Sequence, residues 1–127
     1  MQLTMGQVLE RLHSVHQDMA AAQRALMAAR DKETHAAEAH RMAVARATLS
    51  DECPKPKRGE DGVTVAYRDA WVDTETSDAR FAAAVAEATR KAAEDALRVS
   101  RDQASVVQSL SALMRAEMQL TATPGSN

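Results

Sequence analysis

The stretch MGQVLERLHSVHQDMAAAQRALMAA (residues 5–29) carries apolar residues at alternating intervals of three and four. This spacing has a period of 3.5 residues, typical of a helix that packs lengthwise on another helix. We name these positions the N-terminal seam: Met5, Val8, Leu12, Val15, Met19, Ala22, Leu26 and Ala29. The same phase then reaches Glu33 and His40, so the seam becomes weaker and more alanine-rich after residue 30.

No proline precedes Pro54, and the pattern predicts one helix over about 3–49. A helix of that length is roughly 70 Å long, which indicates an elongated bundle. The stretch DECPKPKRGEDG (51–62) follows, and its prolines and glycines predict a loop over 50–62.

After the loop, the apolar spacing of residues 63–73 favours a short helix, with a strand as the weaker alternative. A last helix is predicted over about 77–120, and residues 122–127 form a flexible tail. Its apolar positions, which we name the C-terminal seam, are Phe81, Val85, Ala88, Ala92, Ala96, Val99, Gln103, Val106, Leu110, Leu113 and Leu120.

Two long helices of similar length on either side of a turn predict an all-α fold. We expect a single domain over 1–121, an antiparallel, coiled-coil-like two-helix hairpin with the short helix at the turn. Hydrophobic residues make up 45% of the 127 positions, but aromatic residues only 2%, and roughly a fifth are alanine. Alanine favours helix but buries little apolar area, so we expect dimerisation to complete a bundle.

The turn region holds the candidate partner-binding residues Lys55, Lys57, Arg58, Tyr67 and Trp71. An extended basic loop suits phosphate contacts. However, four acidic residues flank the loop's basic residues and screen their charge, which favours a solvated turn: Asp51, Glu52, Glu60 and Asp61. Cys53 is the only cysteine and cannot form an intramolecular disulfide.

The sequence offers little for catalysis or metal binding. Glu10 and His13 match half of a dimetal helix-bundle site, and His13 with His16 has a spacing that suits one metal ion. Surface histidines are the favoured interpretation, and no cofactor is expected. There is no nucleophile elbow, glycine-rich phosphate loop or Cys-x-x-Cys pair, so an enzyme is not expected.

The net charge of −2 disfavours a general nucleic-acid coat. No stretch has the length and apolarity of a membrane span or signal peptide, so we expect a cytoplasmic protein that does not bind membranes.

Residues 70–120, AWVDTETSDARFAAAVAEATRKAAEDALRVSRDQASVVQSLSALMRAEMQL, and residues 39–49, AHRMAVARATL, carry a family resemblance. They resemble small alanine-rich helical proteins encoded by phages of Gram-positive, especially actinobacterial, hosts. In those proteins an acidic or glycine-containing turn is followed by an Arg, an alanine-rich helix and a closing Arg-Ala-Glu segment, which is Arg115-Ala116-Glu117 in this chain. The stretch 51–62 is longer than the turn of those proteins. They are often encoded near recombination and replication genes, so the resemblance implies an accessory role there.

The leading hypothesis is therefore a non-enzymatic protein-interaction module that binds itself and an unidentified protein. Two alternatives stay open. One is a phage structural or assembly protein, for which long helices are also suitable. The other is a weak DNA-binding protein that uses the loop and four basic residues of the last helix: Arg90, Lys91, Arg98 and Arg101.

Overall fold

The computed structural model describes residues 3–58 and 62–122, which form three α-helices and no strand. They are α1 (Met5–Leu49), α2 (Val65–Glu75) and α3 (Ser77–Ala122). The predicted all-α class is confirmed, and the strand alternative for residues 63–73 is wrong. Residues 59–61 of the predicted loop and 123–127 of the predicted tail lie outside the described residues.

Side-chain caps set where the helices begin. Thr4 and Gln7 form a reciprocal capping box: the Thr4 amide donates to Gln7 Oε1 at 2.9 Å, and the Gln7 amide donates to Thr4 Oγ1 at 3.1 Å. Thr64 caps α2 by accepting from the Tyr67 amide at 3.0 Å. Helices α2 and α3 are separated at Thr76, whose hydroxyl donates to the Val72 carbonyl at 2.8 Å.

The chain divides into two compact units, each with a segment of α1 and a segment of α3. We name Met1–Met27 with Ala92–Asn127 the terminal unit, and Ala28–Lys91 the central unit. In the terminal unit the described helices are these two segments alone. Its buried residues come from both segments: Val8 and Leu26 of α1, and Leu97, Ala104 and Ser111 of α3.

The central unit adds the loop and α2 to its two long segments. Its buried residues come from α1, the loop, α2 and the junction between α2 and α3: Ala29, Cys53, Val72 and Thr76. Within this unit, successively later residues of α1 lie beside successively earlier residues of α3 and α2. Glu33 of α1 bonds Arg90, His40 lines a hollow with Ala83, and Thr48 lines another with Val72.

On α1, the less exposed face follows the N-terminal seam. Val8, Leu26 and Ala29 are buried, and the other five seam residues are partly buried: Met5, Leu12, Val15, Met19 and Ala22. Partly buried positions then continue in the same phase through Glu33 and His40.

On α3, the predicted packing face is wrong. Val85, Val99, Val106 and Leu113 of the C-terminal seam are exposed, and Leu110 is only partly buried. The buried and partly buried residues fall on a different stripe with the same alternating spacing. We name it the packing stripe: Thr76, Ala79, Ala83, Ala86, Arg90, Ala93, Leu97, Ser100, Ala104, Val107, Ser111 and Met114.

Within the central unit, an ion pair between α1 and α3 favours this choice of stripe. Glu33 lies in the phase of the N-terminal seam, and its Oε2 accepts from Arg90 Nε at 2.7 Å. Arg90 belongs to the packing stripe. If the C-terminal seam faced α1 instead, Glu33 would lie among alanines as a partly buried carboxylate without this cation, which is unfavourable. The small residues of the packing stripe also let the two helix axes approach closely.

A first prediction concerns the core of the terminal unit. We expect Leu26→Ala to lower the free energy of unfolding by about 2–5 kcal/mol, because it leaves a cavity at a residue that is only 5% exposed. Met27→Ala is the matched control, since Met27 is 67% exposed, and should cost below about 0.5 kcal/mol. Urea unfolding followed by circular dichroism measures both. Equal losses would contradict the assigned face of α1.

A second prediction concerns the ion pair. In a double-mutant cycle of Glu33→Ala and Arg90→Ala, we expect a coupling free energy of about 1–2 kcal/mol, because the pair is partly buried. The exposed pair Glu87–Lys91, with Nζ and Oε1 3.1 Å apart, is the control and should couple by about 0.3–0.5 kcal/mol. Equal coupling in the two cycles would show that the helix pairing does not depend on Glu33 and Arg90.

Candidate interaction surfaces

The exposed apolar residues of α3 in the terminal unit are regularly spaced. Val99, Val106 and Leu113 recur every seven residues and are 54%, 68% and 64% exposed. Between them lie Gln103 and the partly buried Leu110. We name the part of the C-terminal seam from Ala96 onward the outer stripe: Ala96, Val99, Gln103, Val106, Leu110, Leu113 and Leu120.

The outer stripe and the packing stripe lie about 100° apart around α3, as follows from 100° of rotation per residue. A helix with two such faces is typical of bundles in which it contacts two other helices. In the terminal unit, however, the buried residues of α3 all lie in the packing stripe, and within the outer stripe Leu110 alone is partly buried. The outer stripe therefore leaves a heptad face open for another helix.

A groove of about 520 Å³ runs beside the outer stripe, within the terminal unit. Its floor includes apolar side chains from both helices, among them Val15 and Val106. Arg11 from α1 and Asp102 from α3 are its charged lining residues, and Ser14, Val99, Gln103 and Val107 complete the lining. An apolar floor with few charges suits an apolar helix face better than a polar substrate.

The loop places its basic residues at the surface of the central unit. Lys55, Lys57 and Arg58 are exposed, and none of them forms a side-chain ion pair or hydrogen bond with a described residue. The backbone around them is fixed: the Lys57 amide donates to the Val63 carbonyl at 3.2 Å, and the buried Cys53 Sγ lies 3.6 Å from the Pro54 carbonyl oxygen. The sequence neighbours Glu60 and Asp61 lie outside the described residues.

The two aromatic candidates of α2 have different surroundings. Tyr67 is 60% exposed, whereas Trp71 is partly buried and Val72 is buried. Trp71 therefore belongs mainly to the packing of the central unit, and Tyr67 is the more accessible of the two. A hollow nearby is lined by Thr48, Arg68, Asp69 and Asp73 together with Val44 and Val72, which makes it largely polar.

Three of the six basic residues of α3 are paired with acids. Arg90 bonds Glu33, Lys91 bonds Glu87 and Arg98 bonds Asp95. These pairs reduce the positive potential that a DNA contact along α3 requires.

The candidate metal ligands remain on the surface. Glu10, His13 and His16 are exposed, and the described residues contain no group of three or more His, Cys, Asp or Glu placed to hold a metal ion. His40 is partly buried and lines a hollow with Glu33, Arg80 and Glu87, as well as three alanines.

Comparison of the chain with protein-family models, curated proteins and solved structures gave no match. Within the described residues, none of the helices combines the length and apolarity needed to cross a membrane. The candidate interaction surfaces of this protein are therefore the outer stripe, the groove and the basic loop.

Sequence reasoning identified the residues of the outer stripe but assigned them to the intramolecular core. It missed Leu97, Ala104 and Ser111, which are buried. A signal was present, because Arg90 and these three residues recur every seven positions. Arg90 was also a possible cationic partner for Glu33 in the N-terminal seam.

A third prediction separates packing from surface on α2. We expect Val72→Ala to lower the free energy of unfolding by about 1–3 kcal/mol, because Val72 is buried. Tyr67→Ala should cost below about 0.5 kcal/mol, which leaves Tyr67 available for testing in binding assays on a folded protein. Chemical unfolding of both variants checks this. A large loss from Tyr67→Ala would assign Tyr67 to the core.

Proposed function

We propose that the chain is a non-enzymatic protein-interaction module built as an antiparallel helical hairpin. The observation that carries the proposal is the outer stripe, a heptad-spaced apolar face that the chain's own helices leave exposed. Burying a Val or Leu side chain stabilises a complex by roughly 1.5–3 kcal/mol, so several half-exposed side chains in a row favour association. The groove beside them provides a concave seat for a helix.

The resemblance to small helical phage proteins suggests where such a module acts. We propose an accessory role in phage DNA recombination or replication, or in host takeover, in the host cytoplasm. A scaffold or assembly protein of the phage particle is the alternative that uses the same surfaces. The identity of the partner distinguishes these two roles, because a scaffold or assembly protein binds proteins of the virion.

Direct DNA binding is a second candidate because Lys55, Lys57 and Arg58 are exposed together. The ion pairs of Arg90, Lys91 and Arg98 reduce the positive surface along α3 that could extend this contact. An electrophoretic mobility shift assay at about 50 mM salt, with and without Lys55→Ala/Lys57→Ala/Arg58→Ala, decides between the two. Salt-dependent binding that the triple variant loses would favour the DNA-binding candidate.

A fourth prediction tests the protein-interaction proposal. The tagged full chain serves as bait in an extract of the native host, in three forms: wild type, Val106→Lys/Leu113→Lys in the outer stripe, and Lys55→Glu/Lys57→Glu/Arg58→Glu in the loop. We expect a specific protein to be enriched by the wild type and the loop variant, and at least about tenfold less by the stripe variant.

The matched bait forms control for nonspecific capture, and circular dichroism shows whether each is folded. Equal enrichment by all three forms, or by none, would contradict a function carried by the outer stripe. Loss with the loop variant alone would move the binding site to Lys55, Lys57 and Arg58.

A further inference from the structure

We propose that the outer stripe binds the outer stripe of a second copy of this chain, with the two α3 helices antiparallel. This inference rests on the proposed function and names the partner of the same surface. Three observations favour a second copy: the sizes of the stripe residues, the charges beside them and the area that the groove adds.

The first observation is that the stripe is complementary to itself when reversed. In antiparallel pairing centred between Ala104 and Ser105, the six stripe positions from Ala96 to Leu113 of one copy fall opposite the same six positions of the other. Ala96 then faces Leu113, Val99 faces Leu110, and Gln103 faces Val106. Each layer combines a smaller or polar residue with a larger apolar one, which fills the space between helices without crowding.

The second observation is the position of the acidic groups. In this register Glu117 lies opposite Ala92 of the second copy, and Asp102 lies opposite Val107 of the second copy. Neither carboxylate faces another. If the two α3 helices were instead parallel and in register, Glu117 would face Glu117 and Ala96 would face Ala96. That arrangement opposes two like charges and leaves a gap, so it is disfavoured.

The third observation is the groove. A stable interface buries about 800 Å² on each partner, more than one narrow helix stripe supplies. The groove extends the contact surface from α3 to α1, because Arg11, Ser14 and Val15 line it together with Val99 and Val106. A second α3 seated there contacts both helices of the terminal unit. By symmetry the complex contains four packed helix segments, and every outer stripe is covered.

The experiment measures mass and orientation. Sedimentation equilibrium of the full chain should give twice the 13.7 kDa monomer mass at micromolar concentrations. Val106→Lys places two cations within the symmetric interface and should raise the dissociation constant at least about 100-fold. Gln108→Lys, at an exposed position of the same helix outside the stripe, is the matched control and should stay dimeric.

Orientation is read from a spin label at Arg115→Cys in a Cys53→Ala background. Antiparallel pairing separates the two labels by about 30 Å along the helix axis, whereas parallel pairing leaves them only one helix spacing apart. Double electron–electron resonance measures this distance. The long distance supports the proposal, and the short one overturns its antiparallel orientation.

The remaining outcomes distinguish a failure of this inference from a failure of the proposed function. A chain that stays monomeric up to hundreds of micromolar overturns the second copy as partner. The proposed function still stands if the stripe variant loses a protein captured by the wild type. A dimer that Val106→Lys leaves intact also overturns the inference, because its interface then lies elsewhere. Because Val106 is 68% exposed, circular dichroism is expected to show a folded variant.

Discussion

The ion pair of Glu33 and Arg90 is the constraint on which the helix pairing depends. Glu33 lies in a face of α1 that is otherwise largely apolar, and its carboxylate bonds the Arg90 guanidinium at 2.7 Å. A partly buried carboxylate is stable only with a cation or strong donors nearby. This requirement favours the rotation of α3 about its own axis that turns Arg90 toward α1. The residues at heptad spacing from Arg90 then face α1 as well and form the packing stripe.

The rotation has a consequence for function. It directs mainly alanine and serine, together with Leu97, Val107 and Met114, toward α1, and directs Val99, Val106 and Leu113 outward. The inner face allows close backbone approach, whereas the outer face keeps enough apolar area to bind another helix. Helix α3 thus uses one stripe to pack against α1 and a second stripe, with the same period, as an interaction surface.

The small core gives a reason for association. Few described residues are fully enclosed, and Val8 is the only large one with no exposed surface. Alanine-rich contacts bury little apolar area per residue. A helix pair held by such contacts is therefore stabilised further when another apolar surface packs against it. The exposed outer stripe is therefore expected to stabilise the fold when it is covered, in addition to selecting the partner.

The sequence alone determined the helices, because alanine content, heptad spacing, Thr4 and Thr64 as caps, and the prolines after residue 53 act locally. It also determined which positions of α1 form the seam, since one apolar stripe is clearly strongest there. On α3 two stripes compete, and local pattern favoured the larger residues of the C-terminal seam. Only the tertiary structure decided between them, because the deciding contact joins residues 33 and 90, which are far apart along the chain.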